Sequence, residues 1–323
     1  MAVDTQTTVL IPSSVGTPRH HIVIFGVLLG LLLIAPAVLY PVFLMKVLCF
    51  ALFASALNLL LGFGGLLSFG HAAYFGTAAY VSAHAAKIWG LTPELSILLG
   101  TAAAAVLGLA IGALAIRRQG IYFAMVTLAF AQMVYFFSVQ APFTGGEDGI
   151  QAVPRGHLFG FINLANDRTF YFVVLAIVVA GMLAIYRVIH SPFGQVLKAI
   201  RDNEPRSISL GYNVNRYKLA LFVMSATIAG LAGATKALVF QLASLTDVHW
   251  SMSGEVVLMT LLGGMGTIFG PIVGAAVIVT MQNYFAGLGA WVTVLQGVIF
   301  VISVLLFREG IVGVIARWIK KPL

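Results

Sequence analysis

Long apolar runs, separated by short polar segments, follow one another down the chain. They cover about Ile22–Tyr40, Val42–Leu61, His71–Ile88, Leu95–Ile116, Ile121–Val139, Thr169–Ile189, Leu219–Gln241, Val256–Ile268, Pro271–Gly287 and Trp291–Phe307. Within each run the apolar residues are continuous and rich in Leu and Ala. They do not alternate with polar ones, as barrel strands would. Most runs approach the roughly 20 residues that a helix needs to cross hydrocarbon, and the eighth is short for a full crossing. Backbone inside a bilayer must satisfy its own hydrogen bonds, which favours helices. The pattern predicts an all-α fold, a polytopic transmembrane helical bundle of about 8–10 spans. A polar tail over residues 1–21 precedes the transmembrane domain at 22–307, and a second tail occupies 308–323.

Composition agrees: 60% of residues are hydrophobic and 9% charged. A net charge of +8 invites a nucleic-acid reading, but the placement of the charges excludes it. With the N-terminus inside, thirteen of the eighteen Lys and Arg residues fall on the cytoplasmic side, as positive-inside sorting requires. Both termini are then cytoplasmic. Lys46 and Lys236 lie inside runs, about a turn from the outer end, and are expected to snorkel. The acids are all expected outside the middle of the spans. That counts against an ion-driven carrier, which usually keeps a carboxylate near the midplane.

No energy source is visible. No Lys follows a Gly, so there is no P-loop, and there is no HExxH, GxSxG or Cys/His cluster of metal-ligand spacing. The reading is a non-enzyme, with no catalytic or metal site and no cofactor of its own. A stand-alone carrier and an intramembrane enzyme are the competing classes, and the second has no motif behind it.

The scarce charges gather in one loop, residues 190–218. Ser191-Pro192 is a helix start, a capping hydroxyl followed by Pro at the first helical position. Asn203-Glu204-Pro205 is a second start, Gly211 suits a left-handed stop, and Asn213 or Asn215 can cap the next span. Such a loop is a compact elbow, not a slack linker. A rigid protrusion on a transporter without a motor suggests a socket for a separate motor.

The stretch "AIRDNEPRSISLGYNVNRYKLALFVMSATIAGLAGA" from Ala199 resembles the coupling-loop signature of ABC importer permeases of the branched-chain amino-acid class, LivM type. "GFGGLLSFGHAAYFGTAAY" from Gly62, "GIYFAMVTLAFAQMVYF" from Gly120, "TGGEDGI" from Thr144 and "LLGGMGTIFGPIVGA" from Leu261 are similar to it as well. The resemblance runs from about Val42 to Gly313. It implies a permease subunit in a bacterial cytoplasmic (inner) membrane, importing branched-chain amino acids. It implies a second permease subunit, two cytoplasmic ABC ATPase subunits that carry the ATP and Mg, and an external solute-binding protein. Close relatives take urea or short amides. By resemblance, Arg201, Asp202, Asn203, Glu204 and Gly211 shape or contact the ATPase joint. The chain departs from the family at Pro205-Arg206-Ser207-Ile208-Ser209, where small and acidic residues are usual, so the partner ATPase is less defined.

Glycines add two expectations. Gly100, Ala104, Gly108 and Gly112 form a small-residue ridge for close helix packing, as do Ala226-Gly230-Ala234 and Ala229-Gly233-Ala237. The stretches "LLGFGGLLSFGHA" and "LLGGMGTIFGPIV" echo each other and suggest an internal repeat with Gly-broken helices. Such paired breaks often mark a substrate pathway. The polar residues near them, Asn58, Ser68, His71, Thr127, Gln132, Gln282 and Asn283, are the pathway candidates.

Overall fold

The computed structural model describes residues 19–289, 291–306 and 310–319. Most of the N-terminal tail, Arg308-Glu309 and Lys320-Lys321 lie outside the described residues. Each of the ten runs falls on a helix. These are α1 (Arg19–Ile34), α2 (Pro41–Asn58), α3 (His71–Lys87), α4 (Pro93–Ala115), α5 (Ile121–Gln140) and α6 (Asp167–Ile189), followed by the elbow helices α7 (Pro192–Asp202) and α8 (Glu204–Ser209). The chain continues through α9 (Val214–Phe240), α10 (Trp250–Gly263), α11 (Gly270–Tyr284), α12 (Trp291–Leu306) and α13 (Gly310–Ile319). Among the described residues, five helices are long and apolar enough to cross a membrane: α2 with its π-helical extension to Phe63, α4, α5, α6 and α9. The chain is therefore a helical polytopic bundle.

Burial separates centre from rim. In α2 and α9, 83% and 78% of the most apolar window is buried within the bundle, against 33%, 28% and 39% in α4, α5 and α6. The rim helices turn the rest of their apolar surface outward, as lipid-facing helices do. Lipid tails are as apolar as these side chains, so burial alone does not drive helices together here. Close packing must do so. The predicted ridges supply it. Gly108 lies against Ala226 and Gly100 against Ala234, while Ala104 lies against Gly230, which interlocks α4 with α9. On the other side of α9, Gly233 meets the backbone of α3 at Phe75, so that a Cβ there would stand 2.0 Å from the Phe75 carbonyl oxygen.

Polar contacts order the two ends of the bundle. Arg201 of the elbow reaches the end of α2, and Gln119 between α4 and α5 reaches Glu204. At the opposite end, Lys87 of α3 donates to the Gln151 carbonyl, and the two-residue strand β1 (Ile150–Gln151) pairs with a strand just after α9, Leu242–Ala243. The helices thus alternate in direction, with the elbow at one end and the 141–166 loop at the other. The eighth run differs from its expected bounds. Its helix, α10, begins earlier, at Trp250, and stops at Gly263, because Gly264 takes a φ of 122° that ordinary side chains avoid.

Overpacking the α3–α9 seam predicts a loss of stability. Gly233→Ala should cost about 1–3 kcal/mol, the usual price of forcing atoms into a filled contact. Gly254→Ala, with nothing within 4 Å of the added Cβ, should leave stability unchanged. Thermal unfolding of the detergent-solubilised protein reads both, and equal midpoints for the two variants would contradict the seam.

Candidate functional site

The elbow is built by side-chain caps at three successive helix starts. Ser191 Oγ accepts from the Gly194 amide at 3.3 Å and opens α7. Asn203 Oδ1 accepts from the Arg206 amide at 3.0 Å and opens α8, and Asn213 Oδ1 accepts from the Arg216 amide at 3.3 Å and opens α9. Gly211, at φ 87°, turns the chain between α8 and α9. Each cap satisfies an amide that the helix cannot, so the elbow holds one shape. Helix α7 begins at Pro192, where the Ser191-Pro192 pair predicts a start, and runs to Asp202. Its Leu197 and Ile200 are buried against the bundle, and Lys198 sits over the Phe63 ring.

The family-derived residues divide by direction. Arg201 Nη1 donates to the Gly62 carbonyl at 2.6 Å, while Nε and Nη2 of the same guanidinium hold Asp202 Oδ1. Glu204 turns inward: Oε2 accepts from Lys218 at 2.8 Å and Oε1 from Gln119 at 3.1 Å. The Lys218 side chain is only 8% exposed, so this is a largely desolvated pair that ties the elbow to the base of α9. The outward surface instead presents Asp202, Arg206, Ile208 and Leu210.

The two glycine breaks meet beneath the elbow. Past Asn58, α2 continues as a π-helical turn over Leu59–Phe63. Asn58 grips the second break at two consecutive residues: its Nδ2 donates to the Thr267 carbonyl, and its Oδ1 accepts from the Gly266 amide, each at 2.8 Å. Gly62 packs on Gly266 so closely that a Cβ would stand 2.5 Å from the Gly266 nitrogen. Arg201, Gly62, Asn58 and Gly266 therefore form a continuous chain of contacts from the elbow to the start of α11.

The other pathway candidates around the first break serve its conformation. The Gly70 amide donates to Ser68 Oγ at 3.2 Å, and the Phe69 amide donates to Thr127 Oγ1 at 3.2 Å. His71 is fully buried, with Nε2 2.8 Å from Ser225 Oγ. Ser225 spends its single proton on the Ala56 carbonyl, so Nε2 must donate and Nδ1 is left as an acceptor. His71 thus pins α2, α3 and α9 together and faces no open space. Gln282 and Asn283 lie away from the breaks, late in α11, and Gln132 is half-buried on α5.

One sequence expectation needs correction. Lys236 does not snorkel. Its Nζ meets both Asp247 oxygens at 2.7 Å, and the side chains are 10% and 3% exposed. Glu255, in the second turn of α10, is half-buried and accepts from Gln282 Nε2 at 3.0 Å. Lys46, on α2, is half-buried. The sequence hides these partners because the pairing is tertiary. Asp247 and Glu255 both stand between the runs, Glu255 directly before Val256, where a loop placement satisfies the charge rule equally well.

The family model described as "Branched-chain amino acid transport system / permease component" matches residues 41–304, which include both breaks and the elbow. The chain belongs to this permease family. It is 27% identical over 278 residues to the high-affinity branched-chain amino acid transport system permease protein LivM of Escherichia coli, and 28% identical to that of Salmonella typhimurium. Those alignments take in 79% of this chain and 65% of each relative. The ribose import permease RbsC of Bacillus subtilis is 29% identical over 173 residues, 51% of each chain. No solved structure matches. Within this permease family, the matched span places the elbow and the paired breaks in one continuous unit.

The Asn58 clamp predicts a local effect. Asn58→Ala leaves the Gly266 amide and the Thr267 carbonyl without their partner, at a cost of about 1–3 kcal/mol. Hydrogen exchange should rise across 264–270 and stay unchanged in α4, and equal protection in the variant would refute the clamp.

Proposed function

We propose that the chain is a transmembrane permease subunit of an ATP-driven ABC importer for branched-chain amino acids. It pairs with a second permease subunit in a bacterial inner membrane. An external solute-binding protein delivers the substrate, and two ATPase subunits on the cytoplasmic side dock the 190–218 elbow. ATP and Mg are held by those subunits. Three things support this reading. The chain belongs to a transport permease family, and its similarity to the LivM proteins extends over more of it than its similarity to the ribose permease. The elbow end carries most of the basic residues, which fits a cytoplasmic face with both termini on that side.

The observation that carries the mechanism is the double-sided elbow. Its outer surface exposes Asp202, Arg206, Ile208 and Leu210, a mixed charged and apolar patch suited to a groove on an ATPase. Its inner surface is bonded to the first glycine break through Arg201 and to α9 through Glu204–Lys218. When nucleotide binding moves the ATPases, the elbow moves with them. Arg201 transmits that motion to Gly62, and Asn58 passes it to the second break. Glycine breaks are where a helix pair can rearrange without breaking a continuous hydrogen-bond ladder. Glu204 thereby acts as an internal strut, and docking falls to the outward residues.

The similarity to ribose and xylose permeases favours one second reading, a sugar as cargo. Reconstitution of the full complex separates them, since uptake of leucine but not ribose supports the amino-acid reading and the reverse contradicts it. In the same complex, Arg201→Ala should lower uptake about tenfold or more, equivalent to a loss of ~1.4 kcal/mol or more in coupling. ATP hydrolysis should persist. Parallel loss of hydrolysis and uptake would place Arg201 in docking and not in transmission.

A further inference from the structure

The loop opposite the elbow carries a hairpin that the transport mechanism does not use. Strand β2 (His157–Leu158) pairs antiparallel with β3 (Ile162–Asn163), and the Phe161 amide closes the turn by donating to the Leu158 carbonyl at 3.2 Å. Both residues at the centre of the turn, Phe159 and Gly160, take left-handed backbone, with φ of 51° and 83°. Asn-Gly is the favoured pair for such a turn, because a bulky side chain is strained at a positive φ. Here a Phe holds the position. Its ring stacks on that of Phe161 with centroids 6.4 Å apart, and the two residues are 63% and 79% exposed. Strain kept at an exposed apolar tip points to a role for the rings outside the chain's own core.

The surroundings of the hairpin indicate what covers the tip. Leu158 and Ile162 pack on the bundle, with β2 beside α4 and β3 beside α6, and Gly156 sits against the Pro93 ring that opens α4. Both are rim helices, and their outward apolar surface starts near this end, at Leu95 and Leu98 of α4 and Phe172 of α6. At the same end of the bundle, aromatic rings are exposed at the end of α3 (Trp89), the start of α10 (Trp250), the end of α11 (Tyr284) and the start of α12 (Trp291). Trp and Tyr gathered at helix ends mark the boundary between hydrocarbon and water. Helices α4 and α6 contribute no exposed Trp or Tyr there: α4 contains neither residue, and Tyr171 of α6 is fully buried. The hairpin brings two rings to that gap. Asp167, the nearest acid along the chain, is paired with Arg155 at 2.6 Å, while Arg168, exposed in the first turn of α6, supplies a positive charge that suits headgroup phosphates.

We propose that the Phe159–Phe161 tip is a lipid anchor. It dips into the interfacial layer of the leaflet opposite the elbow, completes the aromatic girdle over α4 and α6, and holds the 141–166 loop at the bilayer edge. Moving the two rings from water into that layer is favourable and offsets the strain at Phe159.

The test uses the full chain in phosphatidylcholine–phosphatidylglycerol vesicles, with a nitroxide label on one introduced cysteine at a time. Cys49 is fully buried, so the native chain is the labelling blank. A label at Phe161→Cys should be relaxed more strongly by oxygen, which concentrates in lipid, than by a water-soluble nickel chelate. A label at Pro154→Cys, exposed in the same loop, should show the reverse. Phe159→Asn suits the left-handed position, so the variant should unfold in detergent no earlier than the native chain. In vesicles it should make the Phe161→Cys label about threefold or more accessible to the chelate, because half of the apolar tip is gone. A Phe161→Cys label as open to the chelate as the Pro154→Cys label overturns the anchor. So does a label whose depth Phe159→Asn leaves unchanged. A label that sits in water and is immobilised only on addition of a leucine-loaded solute-binding protein also overturns it, and makes the tip a protein-docking surface.

Discussion

One guanidinium and one carboxamide join the moving parts of this bundle. Arg201 reaches from the elbow to the carbonyl of Gly62, and Asn58, a turn earlier in the same helix, grips the backbone at Gly266 and Thr267. Both contacts depend on backbone that has no side chain in the way. At Gly62 a single methyl would collide with the second break, so the grip exists only because the two segments approach at van der Waals distance. The ridges of α4 and α9 interlock at Gly100, Gly108 and Gly230. They fix the helix to which the elbow is tied through Glu204 and Lys218, and motion at the elbow cannot dissipate into loosely packed helices.

Much of the fold was legible in the chain. In a bilayer the requirement for internal hydrogen bonding leaves few options, so continuous apolar runs translate directly into helices. The elbow was legible too: Ser191, Asn203, Gly211 and Asn213 act by local chemistry, and each takes the role its residue type dictates. The bounds of α10 were harder to read, because Gly264 ends the helix inside what looks like one apolar run.

The site was only partly legible, and the reason is tertiary pairing. Nothing local tells Glu204 to turn inward toward Lys218 and Gln119 and away from a partner. Nothing local tells Lys236 to find Asp247. His71 looked like a pathway donor because it follows a glycine break, yet its proton is committed to Ser225 in a sealed pocket of aromatic edges formed by Tyr74 and Phe222. The contact between Glu255 and Gln282 was invisible for the same reason. Membership of the permease family separates this chain from an ion-driven carrier.

The central claim is mechanical: the elbow and the second glycine break move as one body. Spin labels at Ser209 on the elbow and Met265 in the break, both exposed, report the distance between them by pulsed electron resonance. Across the nucleotide cycle of the complex, that distance should stay constant while the distance from Ser209 to Trp89, at the far end of α3, changes. A Ser209–Met265 distance that shifts with nucleotide as much as the Ser209–Trp89 distance does would contradict the account.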